Sequence, residues 1–422
     1  MDVVGITFGA AVHMMQPPME MQLLYRRAMA RREPNFPSLV HRKDRVYFKQ
    51  GITTFYPLPC DLLEIHRRIL RCMLYINVFG GPICAPISAH RSPKRVLEIS
   101  LAAGFWSSQC RDWLNSHNVS FHGLDLLPQT PEWSQLGMNW HVTRHNLQKS
   151  PTLPFEDASF DFVFIRDLGL YAPTAIAASL ANMTTRSIPS TSASFSSSSS
   201  LSSIASSTTS SPVLTEAMRV LCLGGILEVW DSDWVFRSLL PPMPEERSGD
   251  AERGKKYTQS RKKELQIAGQ TATYASMPTA RFTNPGNRFI KEYNSWAQKA
   301  FEKQGVTTQP STQIQAFFFR DKEEADRQFV RVGTRRMAIP LGELPWENGR
   351  GLTAKQWAIR HSALLTVVQM IEAMEPLLME ASGMNEDEFG SWAGAMSGDL
   401  LQNRVWKTAE CLEMSAWWGE KR

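Results

Sequence analysis

Short apolar stretches alternate with amphipathic stretches through the middle of the chain. Period-two or continuous apolar runs predict five strands, over residues 95–99, 119–125, 140–146, 160–165 and 226–230. Apolar residues at helical spacing predict helices over 105–114 and 214–221, and a further amphipathic helix from Phe289 to Phe301. Strands that alternate with helices indicate a parallel sheet built from crossover connections.

The remaining apolar runs complete this picture. Residues 314–319 and 329–339 predict an antiparallel pair of strands at one edge, and the tail from Thr353 onward is predicted to be mainly helical. The expected fold class is therefore α/β: a Rossmann-like, doubly wound, mostly parallel seven-stranded sheet with an antiparallel edge strand. Helical additions are expected at both the N- and the C-terminal side.

A helix is also predicted before the first strand of the sheet, over residues 60–77. Its apolar residues recur every three or four positions, which predicts one buried face. Four charged residues are expected on the opposite, polar face: Glu64, Arg67, Arg68 and Arg71.

Composition narrows the function classes. Of the 422 residues, 43% are hydrophobic and 21% are charged, and 46 basic against 41 acidic residues leave a net charge of only +5. So small an excess does not favour nucleic acid as a partner. The six cysteines show no closely spaced pair, which favours reduced thiols, a cytoplasmic or nuclear location and no metal site. No apolar run is long enough to predict a membrane span.

Two features at the strand ends predict a ligand site. Small residues, Ser100, Ala102 and Gly104, follow the first strand, and Asp125 ends the second. A loop that passes close to a ligand needs small side chains, and an acid at the second strand end can accept hydrogen bonds from ribose hydroxyls.

Four strings in the chain, VLEISLAAG, GLD, LPFEDASFDFVF and RVLCLGGILEVWDSD, resemble the successive motifs of class I S-adenosylmethionine-dependent methyltransferases. Tyr56 to Asp61 with Glu64 and Arg67, and the later segments IPLG and PW, resemble the fungal LaeA-like and UMTA-type group. The resemblance implies S-adenosylmethionine as cofactor. It also implies a small-molecule or protein methyl acceptor and a role in the regulation of fungal metabolism or development.

The resemblance further implies roles for individual residues. Glu98 would anchor the first loop or the methionine amino group, Asp125 would bind the ribose diol, and Leu126 would pack on adenine. The remaining implied cofactor-binding residues are Tyr56, Asp61, Ser100, Ala102, Gly104, Asn146, Leu147 and Arg166. Candidate catalytic bases are Asp167, Asp231 and Asp233, each of which has a purely structural alternative as a helix cap or strand-end anchor.

The first loop departs from the family pattern, because Ser100 and Ala102 stand where glycines are usual. A residue with a Cβ costs about 1 kcal/mol or more where the backbone needs φ > 0. Two alternatives therefore stay open beside an active enzyme. One is a catalytically silent methyltransferase fold with regulatory protein partners; the other is a dehydrogenase, which the missing GxGxxG disfavours.

These motifs divide the chain into four predicted regions. Residues 1–42 are expected to form a flexible arm, and residues 43–94 a helical extension that covers the cofactor site. The methyltransferase domain would span 95–341, with a disordered Ser-rich insertion at 187–212 and a polar insertion at 241–287. Residues 342–422 would form a helical C-terminal layer.

Overall fold

The computed structural model describes residues 38–49, 55–87, 92–114, 118–126, 137–171, 211–241, 259–275, 281–319, 328–347, 351–402 and 409–422. The strands within them are β1 Leu39–Arg42, β2 Arg45–Phe48, β3 Arg95–Ile99, β4 Ser120–Asp125, β5 Trp140–Arg144, β6 Phe160–Arg166, β7 Leu221–Asp231, β8 Arg237–Leu239, β9 Tyr274–Ala275, β10 Phe282–Thr283, β11 Phe329–Pro340 and β12 Glu410–Lys421. The helices are α1 Leu62–Phe79, α2 Phe105–Leu114, α3 Pro212–Val220, α4 Gln259–Thr271, α5 Arg288–Lys303, α6 Pro310–Phe319, α7 Ala354–Ala373, α8 Glu375–Ser382 and α9 Glu386–Gln402.

A parallel sheet forms the centre of the molecule. Its strands run in the order β5-β4-β3-β6-β7, and each neighbouring pair is parallel. The chain winds outward from β3 to β5, returns to the other side of β3, and winds outward again through β6 and β7. The predicted doubly wound α/β fold is confirmed, and the strand order reverses between β3 and β6.

The antiparallel part of the sheet differs from the prediction. β12 pairs with β7 on one side and with β11 on the other, antiparallel to both. The antiparallel strand β12 therefore lies between two other strands of the sheet. β11 lies on the side of β12 that faces away from the parallel strands. The sheet has ten strands among the described residues instead of seven, because β8, β9 and β10 add short pairings of two or three residues.

Burial on both faces of the sheet explains why the central strands appear in the sequence as continuous apolar runs. β6 is buried on both faces except at Asp161, as expected for a central parallel strand covered on both sides. Trp106 of α2 stacks on Phe164 of β6 with ring centroids 3.9 Å apart. Trp230 of β7 contacts Phe164 and also stacks on Tyr75 of α1. Aromatic side chains thus connect α1 and α2 to the middle of the sheet.

The structure corrects two predictions about individual elements and adds a strand to a third. Residues 314–319 belong to helix α6 and not to an edge strand. The fifth strand was predicted to begin at residue 226, but β7 begins at Leu221 and includes Gly224, which has φ 73°, in the stretch where its pairing with β6 shifts register. The C-terminal region is mainly helical, as predicted, but α7, α8 and α9 are followed by the strand β12, which was not predicted.

Several predictions fall wholly or partly outside the described residues. Most of the N-terminal arm and nearly all of the Ser-rich insertion lie there. Of the predicted polar insertion, the described parts contain α4, β9 and β10. In the described part of the chain, no single helix is long and apolar enough to cross a membrane, although α7 and α8, which meet at 63°, pass that test as a pair.

Candidate functional site

The carboxyl ends of β3, β4 and β6 bring the candidate site together. Ser100 follows β3, Asp125 ends β4, and Asp167 follows β6. β3 is hydrogen-bonded to both β4 and β6, so their ends meet at one edge. This edge includes the point where the strand order reverses, which is where doubly wound sheets bind ligands.

The loop after β3 has an unusual backbone. Ser100 has φ 72°, Ala103 has φ 65° and Gly104 has φ 72°, while Ala102 is not among the residues with positive φ. Only Gly104 adopts this left-handed region without a steric cost. The expected penalty therefore exists, but it falls on Ser100 and Ala103 and not on Ala102. The amide of Ser100 donates to the carbonyl of Leu124 at 3.0 Å, which ties the loop to β4.

Asp125 orients the same loop. Its Oδ2 accepts from the amide of Leu101 at 2.9 Å, and its Oδ1 accepts from the amide of Leu126 at 2.7 Å. Both the carboxylate and the Leu126 side chain are buried. Asp125 thus holds the loop in place as well as presenting a carboxylate at the strand end.

Three arginines of α1 enter this site. Arg67, Arg68 and Arg71 are buried together with Glu64, whereas Leu63 and Met73 are 42% and 43% exposed. The assignment of these charged residues to an exposed polar face was wrong. The physical reason is the set of carboxylates at the strand ends, which makes the charged face of α1 the one that packs on the sheet. Asp61 caps α1, accepting from the amide of Glu64 at 3.0 Å.

Arg68 lies at the centre of the candidate site. Its Nη2 donates to Ser100 Oγ, its Nη1 is 3.7 Å from Asp125 Oδ2, and its Nε is 3.7 Å from Asp167 Oδ2. One guanidinium thus contacts residues from the ends of three strands. Arg68 was not among the predicted site residues; the available signal was three arginines at positions i, i+1 and i+4 of one helix, in a chain whose predicted strands end in acids.

Two more arginines complete the buried charge network. Arg71 Nη1 is 3.5 Å from Asp167 Oδ1. Arg166 Nη2 donates to the carbonyl of Ser100 at 3.0 Å, and its Nε is 3.7 Å from Asp167 Oδ2. Burial alone would raise the pKa of Asp167, but Arg71, Arg166 and Arg68 outweigh it and hold that pKa below its usual value.

The other two candidate bases have a different environment. Burial, together with the charge of Asp167, raises the pKa of Asp231 to about 7, although Oδ2 accepts from the amide of Gly169 at 3.1 Å and Oδ1 from that of Ser232 at 2.7 Å. Asp233 binds the amide and hydroxyl of Ser311 at 3.1 and 2.8 Å, and burial raises its pKa. Asp233 therefore anchors α6, whereas Asp231 binds two backbone amides and has a pKa near neutrality.

A small cavity of about 10 Å³ adjoins these acids, room for about one water. Its lining combines apolar side chains with the charged groups already described: Leu58, Leu170, Trp234 and Met370 with Arg67, Arg71, Asp167, Asp231, Ser232 and Asp233.

The remaining predicted residues lie around this centre. Burial raises the pKa of Glu98 to about 7, and its Oε2 accepts from the hydroxyl of Ser107 at 2.6 Å. Asn146 uses its side-chain oxygen to accept from the amides of Gln148 and Lys149, and Leu147 is buried beside it. These contacts organise the turn after β5.

Two predicted residues lie in the segment before α1. Tyr56 is buried and packs edge-on against Phe48 at 5.2 Å. Asp61 forms a bidentate pair with Arg45, at 2.7 and 3.0 Å. Gln148, which the sequence analysis missed, donates to the carbonyls of Phe55 and Leu170 at 2.5 and 2.9 Å and so ties this segment to the end of β6.

No protein-family model and no curated protein matches this sequence. Among the solved structures that resemble it, the YcgJ protein from Bacillus subtilis is 13% identical with a TM-score of 0.32, covering 85% of this chain and 99% of that one. Phosphoethanolamine N-methyltransferase 2 of Haemonchus contortus is 11% identical with a TM-score of 0.28, covering 86% and 61%. The plantazolicin methyltransferase BamL is 10% identical with a TM-score of 0.28, covering 86% and 87%. The strand order, and not these likenesses, establishes the fold.

Proposed function

We propose that this protein binds S-adenosylmethionine at the carboxyl edge of the sheet and transfers the methyl group to an acceptor. The observation that carries the proposal is the meeting of Ser100, Asp125 and Asp167, from three neighbouring strand ends, around a single point. The motifs that resemble those of class I methyltransferases lie at these same strand ends. A ligand with a ribose and a charged amino-acid part suits this edge of a doubly wound sheet.

The residues present fit such a cofactor chemically. Asp125 is held by two backbone amides, and a carboxylate has acceptor positions for ribose hydroxyls as well. Leu126 and Leu147 supply buried apolar surface near the ends of β4 and β5 for a flat base. The space between Ser100, Asp125 and Asp167 is taken by the Arg68 side chain, which has to move before a ligand can enter.

When bound, S-adenosylmethionine would supply an electrophilic methyl group: the acceptor nucleophile would bond to the methyl carbon as the carbon–sulfur bond breaks, and S-adenosylhomocysteine would leave. The protein's own contribution to such a displacement is orientation and exclusion of water. Asp231 adds a proton acceptor, because a pKa of about 7 leaves it partly ionised at neutral pH. A methyl acceptor that has to lose a proton would transfer that proton to the Asp231 carboxylate.

A catalytically silent fold is the second candidate, and two observations favour it. Arg68 fills the site, and Ser100 and Ala103 carry the cost of a left-handed backbone in the loop that would contact the cofactor. In that case the buried charge network would serve stability alone. Binding of the cofactor separates the two candidates.

Calorimetric titration of the full chain with S-adenosylmethionine tests the proposal. Saturable binding is expected, and Asp125→Asn should weaken it about tenfold or more, since a hydrogen bond to a charged group contributes about 1.5–3 kcal/mol. Asp112→Asn, which changes an exposed acid on α2, is the matched control and should bind as the wild type does. If neither the wild type nor a variant without the Arg68 guanidinium binds, the silent fold stands instead.

The acceptor is proposed to be a small molecule or a protein, and the sequence motifs favour the LaeA-like and UMTA-type group. Incubation with radiolabelled cofactor and fractionated fungal extract would identify it. Label should appear in one class of fraction and should be lost with Asp125→Asn.

A further inference from the structure

The small cavity at the carboxyl ends of β6 and β7 lies next to the proposed cofactor site. Its volume is about 10 Å³, enough for one water or one hydroxyl group. Three of the side chains that line it carry a buried polar atom with no hydrogen-bond partner in the described part of the chain: Arg71 at Nε, Asp167 at Oδ1 and Trp234 at Nε1. Leaving buried polar atoms unpaired costs free energy. Three of them around one cavity therefore indicate a site for a polar ligand group.

The indole of Trp234 is held in place by several contacts. The amide of Trp234 donates to the carbonyl of Thr308 at 2.8 Å, and the hydroxyl of Tyr293 donates to the carbonyl of Trp234 at 2.8 Å. The ring packs against Phe301 with centroids 5.2 Å apart. A Cβ at position 169 would lie 3.0 Å from Nε1, so Gly169 leaves space beside the indole nitrogen. The N–H donor of Trp234 therefore has a fixed position at the cavity.

The unpartnered atoms offer two donors and one acceptor. Nε of Arg71 and Nε1 of Trp234 donate, while Oδ1 of Asp167, 3.5 Å from Arg71 Nη1, accepts. A hydroxyl group is the complement of this set, because it donates one hydrogen bond and accepts two. An amine carries at least two N–H donors and at most one acceptor, so it would leave a donor of the site unpaired. The set therefore favours an oxygen nucleophile over a nitrogen nucleophile.

The remaining lining suits the rest of such a molecule. Leu58, Leu170 and Met370 give the cavity apolar walls, against which a carbon skeleton can pack. Asp231 lines the same cavity and accepts one backbone amide at each carboxylate oxygen, which leaves acceptor positions on both. Because burial raises the pKa of Asp231 to about 7 while that of Asp167 is held low, Asp231 is the acid that can take up a proton.

We propose that this cavity receives the hydroxyl group of the methyl acceptor, and that the acceptor is an alcohol or a phenol. This inference rests on the proposed function and adds the chemical class of the acceptor. Before transfer, the hydroxyl donates to Asp167 and accepts from Trp234 and Arg71. Its proton then passes to the carboxylate of Asp231, which gives the oxygen a third lone pair. That lone pair bonds to the methyl carbon as the carbon–sulfur bond breaks, leaving a methyl ether, S-adenosylhomocysteine and a neutral Asp231.

Phenol, aniline and toluene are suitable probes, because they share a ring and differ in the group that would enter the cavity. Each is titrated into the ¹⁵N-labelled full chain without cofactor, and the indole N–H signals are followed by NMR; Trp234→Phe identifies the signal of Trp234. Phenol should move this signal downfield and bind about tenfold more tightly than toluene, since toluene leaves the polar atoms of the cavity unpaired. Aniline should bind more weakly than phenol.

Trp234→Phe removes one donor of the site and keeps an aromatic ring. It should reduce the preference for phenol over toluene about five- to tenfold, the amount expected for one hydrogen bond. Trp346→Phe is the matched control: it removes an indole N–H from the separate apolar cluster around Leu344 and should keep the preference unchanged. Trp234→Leu replaces Trp234→Phe if the latter does not melt cooperatively.

The possible results separate this inference from the proposed function. Absence of phenol binding, equal binding of phenol and toluene, tighter binding of aniline, or an unchanged preference in both Trp234 variants would each overturn the hydroxyl site. None of these results affects the calorimetric test of S-adenosylmethionine binding. If phenol binds as expected but S-adenosylmethionine does not, the proposed function fails, and the role of the cavity in methyl transfer fails with it. If both bind, label transferred from the cofactor should be found in a methyl ether, and label on nitrogen or sulfur would refute the hydroxyl acceptor.

Discussion

Asp167 and Asp231 show how neighbouring buried carboxylates acquire opposite properties. Burial would raise the pKa of Asp167, but the guanidiniums of Arg71, Arg166, Arg68 and Arg67 hold it below its usual value. Arg71 also lowers the pKa of Asp231, but burial and the charge of Asp167 outweigh it and raise that pKa to about 7. Arginines from α1 and β6 therefore determine which acid stays charged and which can exchange a proton near neutral pH.

This difference predicts a pH dependence of stability for Asp231. Its folded pKa lies above that of the unfolded chain, so the stability it contributes is fully present below about pH 3.8 and is lost as the pH rises through about 7. Asp231→Asn should therefore lose less stability than the wild type between pH 5 and pH 8. Urea unfolding at both pH values measures this; parallel losses in the two proteins would contradict it.

His122 should show the opposite sign. Burial, with His141 stacked at 4.9 Å and Arg95 nearby, lowers the pKa of His122 to about 4. The stability it contributes is present above about pH 6.5 and is lost as the pH falls through about 4. His122→Phe, which suits the neighbouring rings of Phe155 and Phe160, should reduce the drop in melting temperature between pH 7 and pH 4.5. The exposed His66→Gln serves as control, and an undiminished drop in His122→Phe would count against the assignment.

The loop after β3 gives a third prediction at single-residue scale. Ala103 has φ 65°, so Ala103→Gly should relieve about 1 kcal/mol of backbone strain, offset in part by the greater entropy of the unfolded chain. We expect a net stabilisation of up to about 1 kcal/mol in urea unfolding. Ala217→Gly, in the regular helix α3, should instead destabilise by about 1 kcal/mol. Equal destabilisation by both changes would show that the loop is not strained.

Among the elements, α1 shows most clearly what the sequence could and could not predict. The helical period placed it within two residues of its observed bounds, but the choice of buried face was wrong. Hydrophobicity decides that choice only when the opposing surface is apolar, and here the opposing surface carries Asp125, Asp167 and Asp231. The central strands, by contrast, were predicted because continuous apolar runs need no knowledge of their partners.

β12 was missed for a related reason. Its sequence, ECLEMSAWWGEK, mixes acids with apolar residues, and its pairing partners β7 and β11 are distant in the sequence. Whether a segment forms a strand depends on such partners, so the spacing of its apolar residues alone does not predict β12. The paired tryptophans were the available signal: Trp417 is fully buried, and Trp418 packs beneath Gly333 of β11.

Trp417 provides a prediction at the scale of this element. Trp417→Ala should cost about 3–5 kcal/mol, because it empties a large buried volume in a strand that joins β7 to β11. Chemical denaturation would measure the loss. Trp357→Ala, at an exposed tryptophan on α7, is the control and should cost far less. A similar small loss at both positions would mean that β12 contributes little to the sheet.

At the scale of the whole molecule, the sheet divides into two parts that were predictable to different degrees. The order β5-β4-β3-β6-β7 follows from local alternation of strands and helices along the chain. The antiparallel part depends on pairings between distant segments, β7 with β12 and β12 with β11. The candidate site belongs to the first part, which is why most of its acids were identified, while Arg68, which fills it, comes from α1 outside the sheet.

The position of β12 between β7 and β11 also bears on how the chain is made. A ribosome completes both neighbouring strands before it reaches β12, so the edge of β7 is uncovered for all the time that α7, α8 and α9 are being synthesised. An open edge of this kind is a template for pairing with another nascent chain. We therefore expect the chain to pair with other chains through β7 more readily before β12 has been made than afterwards.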